Sequence, residues 1–106
     1  MYLGLEDLGK AKELLQKSLT LDPKDGKTHM ALALVYSKQE DQDRAFQEGK
    51  KAIDLVPNDP EIQMDFAQIA YGKGEYALAV QYYDQAIALG APLDPEFSDK
   101  LEQHRQ

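Results

Sequence analysis

Residues 52–61, Ala52-Ile53-Asp54-Leu55-Val56-Pro57-Asn58-Asp59-Pro60-Glu61, end one helix and start another. Pro57 disfavours helix in the residue before it and stops the helix at Leu55. Asp59 then offers an N-cap acceptor, Pro60 suits the first turn, and Glu61 sits near the positive end of the helix dipole. From there Ile62, Phe66, Ile69 and Ala70 recur at helical spacing until Gly72-Lys73-Gly74, which predicts a break. A second helix carries Tyr76, Ala79, Val80, Tyr83, Ala86 and Ile87 on one face. It ends near Leu89-Gly90, with Gly90 as the C-cap glycine and Pro92 beyond.

The chain repeats itself at an offset of 34 residues. Ala11, Ala45 and Ala79 coincide, as do Leu21, Leu55 and Leu89, and Leu19, Ile53 and Ile87. Tyr2 matches Tyr36, Pro23 matches Pro57, and Asp25 matches Asp59. So many coincidences in one register mean a duplicated unit. The earlier copy predicts a helix from about Lys27 to Gln39, a polar turn at Glu40-Asp41, and a helix from about Gln42 to Leu55. Ala33, Ala45 and Ala52, like Ala67, Ala79 and Ala86, let paired helices approach closely, with Leu32 or Phe66 filling the space beside them. Nothing reads as a strand.

The composition agrees. The chain has 106 residues, 42% hydrophobic and 29% charged, with no cysteine. That is one domain with one modest core, without disulfides or thiolate metal sites. No apolar run reaches the length needed to cross a bilayer, and the start lacks the pattern of a secretory signal. The expectation is a soluble chain, with the cytoplasm as default. Net charge is −7. Residues 1–56 hold nine Lys/Arg against ten Asp/Glu, and residues 57–106 hold three against nine, so the second half carries −6. Phosphate backbones need a cationic surface, so nucleic acid is not expected as a partner. The acidic half either keeps the surface soluble or attracts a basic partner.

The pattern resembles the tetratricopeptide repeat family, whose 34-residue unit runs W-x₂-L-G-x₂-Y, A-x₃-F, P. The matching residues are His29, Leu32, Ala33, Tyr36, Ala45, Gly49 and Pro57, then Gln63, Phe66, Ala67, Ala70, Ala79, Tyr83 and Ala91. The first unit supplies only Tyr2, Ala11, Leu15 and Pro23. His29 and Gln63 replace the bulky aromatic, Gly49 replaces the aromatic of the second helix, and Ala91 replaces the closing proline. The resemblance implies an all-α fold of antiparallel helix pairs stacked as a short right-handed solenoid. Residues 1–93 form the array, as a truncated repeat (1–25) and two whole ones (26–59 and 60–93). Residues 94–106, opening at Asp94-Pro95-Glu96-Phe97, are expected to form a capping helix.

Catalysis finds little support. His29 occupies a packing position, His104 falls in the expected last turn, and Gly72-Lys73-Gly74 has the wrong spacing for a phosphate loop. No catalytic residue, metal site or cofactor is expected. The resemblance implies instead a protein-binding scaffold whose first helices line a concave groove. The groove positions are Lys27, Met30, Leu34 and Lys38, then Glu61, Met64, Gln68 and Tyr71. The run from Met30 to Tyr36 is apolar all round. Either its helix is sandwiched between neighbours, or Met30, Leu34, Met64 and Tyr71 form an open apolar floor. The family's carboxylate clamp is not matched, since only Lys27 resembles any part of it, and Ala31, Glu61 and Asp65 stand where it would continue.

The expected partner is a protein or peptide with apolar anchors and basic flanks, and no insertion into a membrane is expected. Alternatives are a structural self-association module or a regulatory appendage of a longer protein. Most of the first helix of the first repeat is missing. Leu8 and Leu15 are therefore expected to be partly uncovered and to offer an edge for homo-oligomer formation.

Overall fold

A computed structural model of the protein describes the backbone of residues 5–105 and the side chains of residues 8–105. Tyr2, the first residue of the repeat register, lies outside the described residues. Six helices follow one another: α1 (Leu5–Leu21), α2 (Gly26–Lys38), α3 (Gln42–Leu55), α4 (Pro60–Lys73), α5 (Tyr76–Ala88) and α6 (Pro95–Glu102). The described residues contain no strand, and the fold is an all-α helical repeat solenoid.

Aspartates start four of these helices. The carboxylates of Asp25, Asp41, Asp59 and Asp94 accept backbone N–H bonds from Thr28, Arg44, Glu61 with Ile62, and Phe97. Each satisfies donors that the first turn leaves open. The Thr28 hydroxyl and backbone N–H also hold the Asp25 carboxyl below its ordinary range. Between paired helices the chain turns through a left-handed residue, Glu40 at φ 63° and Gly74 at φ 90°, 34 positions apart. In both turns the next N–H reaches back five residues, from Asp41 to the Tyr36 carbonyl and from Glu75 to that of Ala70. Gly72 does not break the helix. It stays inside α4, because only Gly74 adopts the left-handed conformation that ends it.

The repeat alanines are fully buried: Ala33, Ala45 and Ala52 in one pair, Ala67, Ala79 and Ala86 in the next. Helix α2 packs on α3, α4 on α5, and α3 and α2 both pack on α4. Phe66 fills the space between pairs at 1% exposure, its ring 5.3 Å from Phe46 and 4.9 Å, edge-on, from Tyr82. The two residues standing in for the bulky aromatic do equivalent work. Nε2 of His29 donates to the Pro23 carbonyl at 2.8 Å, and the Gln63 amide donates to the Pro57 carbonyl. Each fastens a first helix to the turn before it.

Helix α1 packs on α2, and of the two leucines expected to be partly uncovered Leu15 is half-buried, whereas Leu8 is not uncovered. Leu8 is only 6% exposed. Leu8, Lys12, Leu15 and Leu19 fall on one stripe of α1 at helical spacing. Leu15 and Leu19 pack against the core, and the Lys12 ammonium lies 5.6 Å from the centre of the Tyr36 ring. Burial therefore covers Leu8 and half-covers Leu15. Among the described residues of α1 the exposed leucines are Leu14 and Leu21, on the other side of the helix.

The last joint differs from the others. Four residues connect α1 to α2 (22–25) and α3 to α4 (56–59), whereas α5 and α6 are joined by six, 89–94. Helix α6 packs on α5 but stays apart from α4 at the backbone level. Side chains bridge that gap. Tyr71 of α4 meets Phe97 of α6 edge-on at 5.7 Å, and Phe97 in turn meets Tyr83 of α5 at 5.5 Å. The helical run expected through Gln106 stops at Glu102. Beyond it His104 stacks flat on Tyr76 at 3.9 Å, and Arg105 makes a two-pronged ion pair with Asp84 at 2.8 and 3.0 Å. With Gln103 as the C-cap, His104 lies beyond α6 and not in its last turn.

Candidate functional site

The eight groove positions fall along α2 and α4, and three hollows divide them. The first, about 160 Å³, lies between α2 and α4 and is lined by Lys27, Met30, Leu34 and Glu61, together with Asp59 and Asp65. The second, about 610 Å³, lies between the first half of α4 and the α5–α6 connector, with Met64 and Glu61 on the helix side. The third, about 300 Å³, holds Gln68 and Tyr71 against Phe97 and Lys100. Lys38, exposed at the end of α2, lines none of these.

The four apolar members do not form one uniform floor. Met30 is buried to 3% exposure in the main core, where α2 packs against α1, α3 and α4. Leu34 and Met64 are half-buried and reach the hollows. Tyr71 is half-buried too, with its ring edges taken up by Tyr76 at 5.1 Å, Phe97 at 5.7 Å and His104 at 5.9 Å. The apolar run from Met30 to Tyr36 is thus divided, its α4-facing side sandwiched and Leu34 left accessible.

Asp65 is the residue that the groove spacing missed. It lines both the first and second hollows and is half-buried. Loss of solvent, then the nearby charges of Glu61 and Asp59, push its carboxyl up to about 6. The other missed part is the connector, where Pro92 and Leu93 form the far wall of the larger hollow. A signal for it was present. The helix-start triplet Asp59-Pro60-Glu61 recurs as Asp94-Pro95-Glu96 after 35 residues, not 34. The added residue lengthens that joint. Pro92, not Ala91, then corresponds to the proline at Pro57.

The Asp65 environment has a stability consequence whose sign is fixed. Its folded-state pKa is raised, so its contribution is most favourable below about pH 4 and is lost as pH rises through about 6. Partial solvent exposure screens the effect to roughly 1–2 kcal/mol. Asp65→Asn is expected to be more stable than the parent at neutral pH by about 1 kcal/mol. The parent's gain on acidification from about pH 7 to 5 should be smaller in the variant. Urea unfolding of both proteins at the two pH values checks this, and identical pH profiles would refute it.

Among the described residues no group of three His, Asp or Glu side chains converges as a metal site, and no helix is long and apolar enough to cross a membrane. Known proteins share both the pattern and the fold. Human Protein O-mannosyl-transferase TMTC1 is 31% identical over 93 residues, which cover 84% of this chain and 10% of that protein. The chain thus spans about a tenth of the length of that curated relative. Among solved structures, TTC0263, a thermophilic TPR protein of Thermus thermophilus, superposes with a TM-score of 0.76 at 24% identity, covering 92% of this chain and 50% of that one. The Yersinia enterocolitica type III secretion chaperone SycD, in complex with a peptide of the translocator YopD, superposes at 0.73 with 20% identity, covering 92% and 76%. These are likenesses of fold. The tetratricopeptide repeat family model matches residues 2–60 and 64–98, and the chain belongs to that family.

Proposed function

We propose that this chain is a non-catalytic protein-interaction module that holds a polypeptide along the side formed by α2 and α4. The observation that carries the reading is the continuity of the two hollows across α4. Glu61 and Asp65 line both, with Leu34 at one end and Met64 at the other. Half-buried apolar side chains beside polar rims are what a bound segment needs: anchors for affinity, charges for orientation. Methionine adapts to ligands of varied shape. The SycD structure, with its YopD peptide, supports the reading as a likeness of fold. The partner is a protein or peptide with apolar anchors and basic flanks. The interaction units are the repeats 26–59 and 60–93, with residues 1–25 before them and 94–106 as the cap.

A second reading makes the chain a repeat segment serving a longer protein. The match to TMTC1 favours it, since the shared stretch is 10% of that protein.

A peptide selected from a display library against this protein tests the first reading. Leu34→Glu removes a half-buried anchor and adds a charge, and is expected to weaken that peptide by about 2–4 kcal/mol, roughly 30- to 1000-fold in Kd. Its far-UV circular dichroism should stay that of the parent. Unchanged affinity with an intact fold would put the peptide elsewhere and overturn the reading.

A further inference from the structure

The hollow between α4 and the α5–α6 connector goes with the lengthened connector. Where a four-residue joint connects one repeat to the next, α4 packs directly on α2. Where six residues intervene, α6 stands off from α4 and a cleft of about 610 Å³ opens. That volume falls in the range of sites that enclose a ligand group. Its chemistry is lopsided. Met64 and Pro92 present apolar surface, and Leu93 stands 70% exposed at the lip. Glu61 and Asp65 supply acid on the helix side, and no lysine or arginine lines the cleft.

We propose that this cleft takes an extended peptide segment in which an aliphatic side chain seats between Met64 and Leu93 and an adjacent arginine or lysine lies over Glu61 and Asp65. The inference rests on the interaction-module reading and narrows it to one place and one chemistry. Charge complementarity identifies the occupant. The charged groups facing Asp65 are Glu61 and Asp59 on its own side, Lys27 across the smaller hollow, and Asp94 on the connector. The Asp94 carboxylate is engaged as the α6 cap, accepting from the Phe97 N–H at 3.2 Å. Asp59 is engaged in the same way as the α4 cap, and Glu61 and Asp65 face a single lysine, which lies on the α2 side. A cationic side chain entering from the connector side relieves the repulsion that burial and like charge impose on Asp65. A metal ion is a poorer occupant, since among the described residues no three ligand groups converge.

Two blocked peptides test this, acetyl-Gly-Leu-Arg-Leu-Gly-amide and the same peptide with citrulline for arginine. They are titrated into ¹⁵N-labelled protein at about pH 7.5 and pH 5 while backbone amide shifts are followed. The arginine peptide is expected to shift the amides of Met64, Asp65, Ala91 and Leu93, and to bind about tenfold tighter than the citrulline peptide at the higher pH. That ratio should narrow to about threefold at the lower pH, and to a similar value in Asp65→Asn at either pH. Leu93→Ser, at an exposed position, should weaken both peptides alike. Equal binding of the two peptides at the cleft overturns the cationic element. Shifts confined to α2 and Leu34 overturn the cleft assignment while leaving the interaction module standing. No shift anywhere at millimolar peptide counts against both.

Discussion

Phe66→Ala is expected to destabilise the protein by about 3–5 kcal/mol, the largest loss for a single truncation in this chain. The phenyl ring is 1% exposed, touches Phe46 and Tyr82, and lies over the helix face that Gly49 leaves open. Removing it deletes contacts to three helices at once: α3, its own α4, and α5. The surrounding rings cannot collapse fully, so a cavity term adds to the lost transfer energy. In a domain of this size each kcal/mol moves the melting temperature by about 4–8 °C, so the change should exceed about 12 °C. Urea unfolding followed by circular dichroism measures it, with Phe66→Leu as a milder companion. A loss below about 1 kcal/mol would mean that the ring does not hold the two repeats together.

Gly49→Tyr carries the second large effect, and its sign runs against the family pattern. An aromatic belongs at that position in the repeat, and tyrosine is the better helix former by about half a kcal/mol. Yet even a Cβ at Gly49 would stand 2.7 Å from Cδ1 and 3.1 Å from Cε1 of Phe66. Phe46 and Tyr82 flank that ring, so it has little room to move. Overpacking of this kind costs about 1–3 kcal/mol or more, which outweighs the propensity gain. A net loss of about 2 kcal/mol is expected from thermal or urea unfolding.

The next repeat makes the opposite choice. Tyr83 occupies the equivalent of Gly49, and Leu101 follows the Asp94 cap by seven residues, as Phe66 follows Asp59. Tyr83 packs on Phe97, and its hydroxyl accepts from the Asp94 N–H at 3.3 Å. Volume is thus exchanged between a second helix and the first helix after it. Gly49→Tyr combined with Phe66→Leu should therefore be more stable than the sum of the two single changes predicts. If Gly49→Tyr alone stabilises the protein, this account of Phe66 is wrong.

Much of this was legible in the residues. Asp25, Asp59 and Asp94 announced their helices because a cap is a local device that needs only neighbouring backbone. The buried alanines and the paired helices followed from a period that the chain states twice. What escaped depends on non-local facts. Met30 and Leu34 sit one turn apart on α2, yet one is buried and the other half-buried, which no single-helix pattern distinguishes. Leu8 reads as the edge of an incomplete repeat, but its burial depends on how α1 packs in the fold, which the spacing of one helix does not state. Asp65 looks like one more acid on an acidic surface until the hollows on both sides of it are known. The hollow beside the connector was the nearest miss, since one added residue in the spacing of Asp-Pro-Glu signalled it.

The six-residue joint before α6 also has a mechanical meaning. An array of stacked repeats behaves as a spring, its curvature set by the small rotation between one repeat and the next. Between α2 and α4 that rotation is locked by helix-on-helix packing. Between α4 and α6 it is held by side chains, with Phe97 and Leu101 buried in one cluster with Ala67 and Ala70, and by the packing of α6 on α5. The joint at the cleft is therefore expected to bend more readily than the one between α2 and α4. An object wedged between Met64 and Leu93 would act on that joint as a shim does, setting the direction in which α6 points.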